Sequence, residues 1–222
     1  MTVARAAMQS LPTERTAAAI LLALIAGCVD AVGFTELGGY FVSFMSGNST
    51  RLGLHIAYQE WSSALFVGGL IALFVGGAAL GALIDEVAGR LSAAMLFIVE
   101  AALLAAAAML IDGAHAMAGI VLLPVAMGLS NALVLGERGA RVGLTYMTGT
   151  LVRIGTGITR LGRPGEARGV LLDCLLWLAL VVGVAFGAHA RLRFGAEVLF
   201  VPAAVLVVLS ITEAWLSRRS PA

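Results

Sequence analysis

Runs of about 20 consecutive apolar residues recur along this chain, and they leave it few ways to fold. A helix rises 1.5 Å per residue, so about 20 residues cross the ~30 Å hydrocarbon layer of a bilayer. Six stretches reach that length: roughly 17–37, 62–84, 91–111, 116–136, 169–189 and 194–215. Asp85, Glu86, Gly89 and Arg90 separate the second from the third. Asp112, Gly113 and His115 separate the third from the fourth, and Arg191 and Arg193 the fifth from the sixth. The balance of residue types agrees: 60% of the 222 residues are hydrophobic and 12% charged, against about 25% charged in a soluble domain. One core of this size cannot bury so much apolar surface, so a lipid bilayer is expected to cover the rest. The expected architecture is an all-α integral membrane protein with six transmembrane helices.

Several function classes recede at this point. A net charge of +1 offers no basic surface, so no nucleic-acid partner is expected. Cys28 and Cys174 both lie within apolar stretches, which predicts neither a disulfide framework nor a metal site. There is no His cluster, zinc-ligand spacing, phosphate-binding glycine loop or G-x-S-x-G, so neither an enzyme nor a cofactor is expected. The first apolar stretch is too long for a signal-peptide core, and it is expected to stay in the mature protein.

Arginine placement gives an orientation. With the N-terminus inside, the inner segments hold Arg5, Arg15, Arg90, Arg138, Arg141, Arg153, Arg160, Arg163, Arg168, Arg218 and Arg219. The outer segments hold Arg51, Arg191 and Arg193. The positive-inside rule then predicts a multi-pass protein of a bacterial inner membrane with both termini cytoplasmic.

A polar nine-mer occurs twice: "MSGNSTRLG" from Met45 to Gly53 and "MTGTLVRIG" from Met147 to Gly155. Upstream, "GCVDA" (Gly27 to Ala31) parallels "GLSNA" (Gly128 to Ala132), pairing Asp30 with Asn131. Downstream, "GAALG" (Gly77 to Gly81) parallels "GVAFG" (Gly183 to Gly187). Three matches in one order predict a duplication of three helices each. Three spans are an odd number, so the copies must face opposite ways, as a 3+3 inverted repeat. The expected organisation is a cytoplasmic segment 1–16, repeats 17–112 and 113–216, and a cytoplasmic tail 217–222.

From Ser46 to Tyr58 is too short to span, but suits a broken or re-entrant half-helix. Ser46 and Thr148 are candidate N-caps, and Gly47 and Gly149 permit a sharp turn or a close approach. "GGY" and "RVG" can break the preceding helices. Met45, Ser46, Gly47, Asn48 and Arg51, with Met147, Thr148, Gly149, Thr150 and Arg153, are therefore candidate solute-binding residues, together with Asp30 and Asn131. Half-helix N-termini and the two arginines would favour an anionic solute. The alternative is a pair of tight turns with arginines reaching to headgroups. Asp30 lies within the first span, where an unpaired carboxylate costs several kcal/mol. It is a proton-coupling candidate, as is Glu100; the alternative is an ion pair of Asp30 with Arg51 or Arg153. Asp173 and Glu213 are expected at the interface. Gly77, Gly81, Gly183 and Gly187 are read as helix-packing residues, with the second and fifth spans crossing each other, or else as a homodimer contact.

"AGCVDAVGF", the aromatic-rich "YFVSFMSGNSTRLG" and "TYMTGTLVRIG" together resemble the YoaK-type family of bacterial membrane proteins, over roughly 17–216. The resemblance implies a six-helix inner-membrane protein and supplies no substrate. The family usually places Asn after Met-Thr-Gly; this chain has Asn48 in the first copy and Thr150 in the second. Two functions are left in view: a small secondary transporter or channel for a small polar solute, or a non-catalytic accessory subunit of a membrane complex.

Overall fold

The computed structural model describes residues 13–132 and 147–219. Among these residues the secondary structure is helical, with no strand. Helix α1 is Thr13–Glu36, α2 is Met45–Ala57 and α3 is Trp61–Ala88. Helix α4 is Ser92–Ile111, α5 is Ala116–Asn131 and α6 is Met147–Ile158. Helices α7 (Glu166–Phe194) and α8 (Phe200–Arg219) complete the described residues. Arg5, Arg138, Arg141 and the "RVG" break lie outside the described residues.

The apolar stretches became helices because a chain surrounded by hydrocarbon must satisfy every backbone N–H and C=O within itself. Three helical stretches are apolar and long enough to cross a membrane: Thr16–Glu36, Trp61–Ile111 and Glu166–Arg218. The last two are each broken once. Gly89, at φ +53°, ends α3 and starts a 3-10 turn; Gly195, at φ +63°, does the same after α7. A left-handed conformation at these points is open to glycine and strains other residues. The outward faces remain apolar: Val87 is 86% exposed and Leu192 85%. With the many other exposed apolar side chains of the long helices, they form a surface suited to lipid. The molecule is a membrane protein.

Small clusters of hydrogen bonds hold the two ends. At one end Arg191 donates through Nε to Glu36 (2.7 Å) and through Nη2 to Asp112 (2.7 Å). Asp112 also accepts from the backbone N–H of Ala196. The end of α1, the end of α4 and the α7–α8 turn therefore meet there. At the opposite end Ser92 donates to Asp85, and Ser217 donates to the carbonyl of Arg90 (2.9 Å).

The interior is organised by two backbone crossings. Helix α1 packs on α7 and α3 packs on α5. A Cβ on Gly183 would run into the carbonyl of Leu24, on Gly187 into Cys28, and on Gly27 into the carbonyl of Leu180. In the other crossing, Gly77 lies against the carbonyl of Val125, Gly81 against Leu129 and Ala132, and Gly128 against the carbonyl of Phe74. The sequence expectation was that α3 and α7 would cross each other. Each instead crosses the helix that offers a facing glycine, Gly128 for α3 and Gly27 for α7. Close approach of two backbones needs a gap on both sides.

Candidate functional site

The end of α1 turns back on itself. Leu37 N–H donates to the Gly33 carbonyl (2.9 Å) and Gly39 N–H to that of Phe34 (2.8 Å). Gly38 (φ +61°) and Gly39 (φ +97°) then reverse the chain. Val42 packs its methyl groups into the space that a Cβ on Gly33 would fill. One residue later the loop reaches Asp30: Val42 N–H (3.2 Å) and Ser43 N–H (2.9 Å) donate to Oδ1, and the Ser43 hydroxyl donates to Oδ2. The chain has descended from the level of Glu36 to that of Asp30, about 9 Å along the helix axis at 1.5 Å per residue. Helix α2 starts there. The segment folds back along α1, and the carboxylate of Asp30 fixes its turning point.

Asn48 locks the same loop from the other side. Its Oδ1 accepts from Phe41 N–H (3.0 Å) and its Nδ2 donates to the Phe41 carbonyl (2.7 Å). The side chain is fully buried. Ser46 was the expected N-cap, but the capping position is Phe44, with no side-chain cap bond. Ser46 lies inside the first turn, where its carbonyl accepts from the Thr50 hydroxyl (3.1 Å). Gly47 serves aromatic packing: a Cβ there would lie 2.6 Å from the Phe44 ring and 3.0 Å from the Phe41 ring. Arg51 stacks over the ring of Tyr40 at 5.0 Å. The Tyr40 hydroxyl is 2.9 Å from His55 Nε2, and His55 Nδ1 meets Glu60.

The second nine-mer is built differently. It forms α6 from Met147, with Thr148 and Gly149 in the first turn. Thr150 is buried and its hydroxyl accepts from Arg153 Nη2 (2.8 Å). Arg153 also donates through Nε to Asp173 Oδ1 (3.0 Å), with Nη2 at 2.9 Å from the same oxygen. Asp173, which lies in the early turns of α7, is completely buried within the protein. The guanidinium of Arg153 is what lets it lie there. Sequence reasoning missed this pair, although an arginine on a short helix followed by one carboxylate on an apolar helix was a usable signal. Asp30 pairs with neither arginine.

A cavity of about 500 Å³ lies where these parts meet. Asp30 and Ser43 form its polar side, and Phe34, Phe41 and Phe44 its aromatic side. Leu180 and Val184 of α7 face them, and Met147 reaches it from α6. The structure thus brings together Asp30, the approach to the first nine-mer and the first residue of the second. Gly47 and Asn48 support the wall from behind. Arg51, Arg153, Thr150, Asn131 and Glu100 do not line it. Asn131 donates to the Met127 carbonyl (2.8 Å), and Glu100 is buried on α4 against Ser130. The expected anionic preference relied on the half-helix N-termini together with Arg51 and Arg153; Met147 at the start of α6 does reach the cavity, whereas neither arginine lines it. Among the described residues no group of three His, Cys, Asp or Glu is placed to hold a metal ion.

Comparison with known proteins agrees with the helical membrane architecture. Residues 18–212 match the family described as protein of unknown function (DUF1275). A transmembrane protein of the UPF0700 group from Rhizobium meliloti (strain 1021) is 35% identical over 198 residues, covering 89% of this chain and 85% of the relative. No solved structure matches the chain. The motifs around Asp30 and the two nine-mers carried a resemblance to YoaK-type proteins, which are members of that same family, and the chain belongs to the DUF1275 family of membrane proteins.

Proposed function

We propose that this protein is a small secondary carrier of the bacterial inner membrane, moving a small polar solute through the cavity at Asp30. One observation carries the reading: a segment folds back along α1 and ends on a carboxylate that lines a cavity, and the second short helix begins at the same cavity. Discontinuous helices meeting at an intramembrane site are the working parts of secondary transporters. Asp30 holds the loop that precedes α2 and takes no part in the glycine crossings that pack the long helices.

In this reading the chain is a 3+3 inverted repeat of six transmembrane helices, with both termini cytoplasmic. The crossings support it. Leu24, Gly27 and Cys28 of α1 occupy the positions that Val125, Gly128 and Leu129 hold in α5. Phe74, Gly77 and Gly81 of α3 answer to Leu180, Gly183 and Gly187 of α7. Each close approach in one crossing then has its counterpart in the other. Helices α2 and α6 likewise each pack on the long helix that follows. The protein acts by binding and conformational change, without catalysis.

The test is flux. Purified protein is reconstituted into proteoliposomes enclosing a pH-sensitive dye, and a panel of small amines, amino acids and carboxylates is offered outside. The expected result is saturable, solute-dependent flux that falls at least tenfold in Asp30→Asn. Counterflow separates carrier from channel. If no solute moves, the carrier reading falls and the protein is a non-catalytic accessory subunit.

A further inference from the structure

We propose that the cavity at Asp30 takes an organic monocation, an amine or alkylammonium group bearing apolar substituents. This rests on the reading of that cavity as the solute site. The first argument is charge. The carboxylate of Asp30 is surrounded by two backbone N–H groups and one hydroxyl, all donating to it. No cationic side chain among the described residues pairs with it: Arg51 lies on Tyr40, Arg153 on Asp173, and Arg191 on Glu36 and Asp112. Among the described residues the neighbours of this carboxylate supply only dipoles, and a cationic occupant would balance its charge. An anionic occupant would add to that charge.

The second argument is shape. Phe34 and Phe41 lie 5.1 Å apart with their planes tilted by 46°, and Phe41 and Phe44 lie 5.2 Å apart at 84°. Three rings turned against one another line the same cavity as the carboxylate. The negative face of a ring attracts a cation, and boxes of such rings recognise alkylammonium groups. The arrangement is actively maintained: Gly47 makes room for two of the rings, and Asn48 fixes the backbone of the central one. The third argument is the scarcity of other polar groups. Besides Asp30 and Ser43, the described polar lining is Thr35, whose hydroxyl donates to the carbonyls of Ala31 (3.1 Å) and Val32 (2.8 Å). A neutral polyhydroxylated solute would find too few partners there. A single charge wrapped in apolar groups fits.

Equilibrium dialysis of the full chain in detergent tests this with three probes that share one ring: benzyltrimethylammonium, benzyl alcohol and phenylacetate. The expected result is saturable binding of the cation, with the alcohol and the anion at least tenfold weaker. Asp30→Asn is near-isosteric and should weaken cation binding at least tenfold while leaving the alcohol unchanged. Phe41→Leu keeps an apolar wall without a ring face, and should weaken the cation severalfold with no change for the alcohol. It also serves as the deciding variant if Asp30→Asn does not fold. Equal binding of cation and alcohol, tighter binding of phenylacetate, or no binding of the cation overturns the inference. Flux of a carboxylate without cation binding would sink the inference and leave the carrier reading standing. Cation binding without flux of any solute would do the reverse.

Discussion

Removing Asp173 should destabilise the protein more than any conservative change on its surface. Its side chain is 1% exposed and that of Arg153 is 13% exposed, with nitrogen and oxygen 2.9 Å apart. Asp173→Leu leaves the guanidinium of Arg153 almost fully desolvated beside Thr150 and an apolar helix. Breaking a buried ion pair in this way costs about 3–5 kcal/mol, because the remaining charge has no partner and little water. For a chain of this size, each kcal/mol is worth about 2–4 °C in melting temperature, so the expected loss is about 6–20 °C. Following monodispersity during heating in a mild detergent would measure it. The double variant Arg153→Leu with Asp173→Leu removes both charges and should recover most of the loss, since paired apolar groups can replace a buried ion pair at little cost. A fall below about 2 °C for the single variant would mean that water reaches the pair. Failure of the double variant to recover would mean that the geometry of α6 on α7, and not the charge, holds the site.

The glycine crossings give a sharper contrast within one dipeptide. Gly76 faces open space whereas Gly77 abuts the Val125 carbonyl; Gly76→Ala should be neutral or stabilising by up to about 1 kcal/mol, and Gly77→Ala should cost about 1–3 kcal/mol, both read by thermal unfolding. Asn48→Asp replaces the donor facing the Phe41 carbonyl by an acceptor, and limited proteolysis should then cut within 37–44 faster than in the parent protein. For orientation, all native cysteines are first replaced and single ones placed at Glu60 and Arg163; an impermeant maleimide on intact cells should label the first and spare the second. Labelling of both, or the reverse pattern, would refute the proposed topology.

Helix positions were legible because the solvent dictates them. A stretch of about 20 apolar residues has one way to satisfy its backbone in lipid, and the boundaries expected for 62–84 and 91–111 lie within a few residues of α3 and α4. The short helix expected from 46 to 58 is found at Met45–Ala57, because Gly38, Gly39 and Glu60 fence it on both sides. The glycines of the crossings were also legible as packing residues, but their partners were not. Which backbone a gap admits depends on a second gap elsewhere, and Gly27 and Gly128 carried no mark of that. The site was less legible still. Asp30 stood out as a charge in an apolar run, yet its partners are backbone groups of a loop, and any residues could supply those. Asn48 looked like a ligand group, and its amide instead closes the loop at Phe41. The burial of Asp173 was not legible because its partner, Arg153, lies on another helix.

The two crossings have a mechanical consequence. Where backbone meets backbone there is no layer of side chains to shear, so α1 with α7, and α3 with α5, are stiff in themselves. Helix α1 leans on α7 far more than on any other element. At one end of the molecule, the tie between that pair and the rest runs through Asp112, which grips Arg191 and the N–H of Ala196. The side chain of Asp112 is 45% exposed, and ion pairs so open to water hold with about 1 kcal/mol or less. The rim of the α1–α7 pair is thus closed by a weak polar latch, while below it the packing of α1 continues into the core shared with α4, α5 and α8.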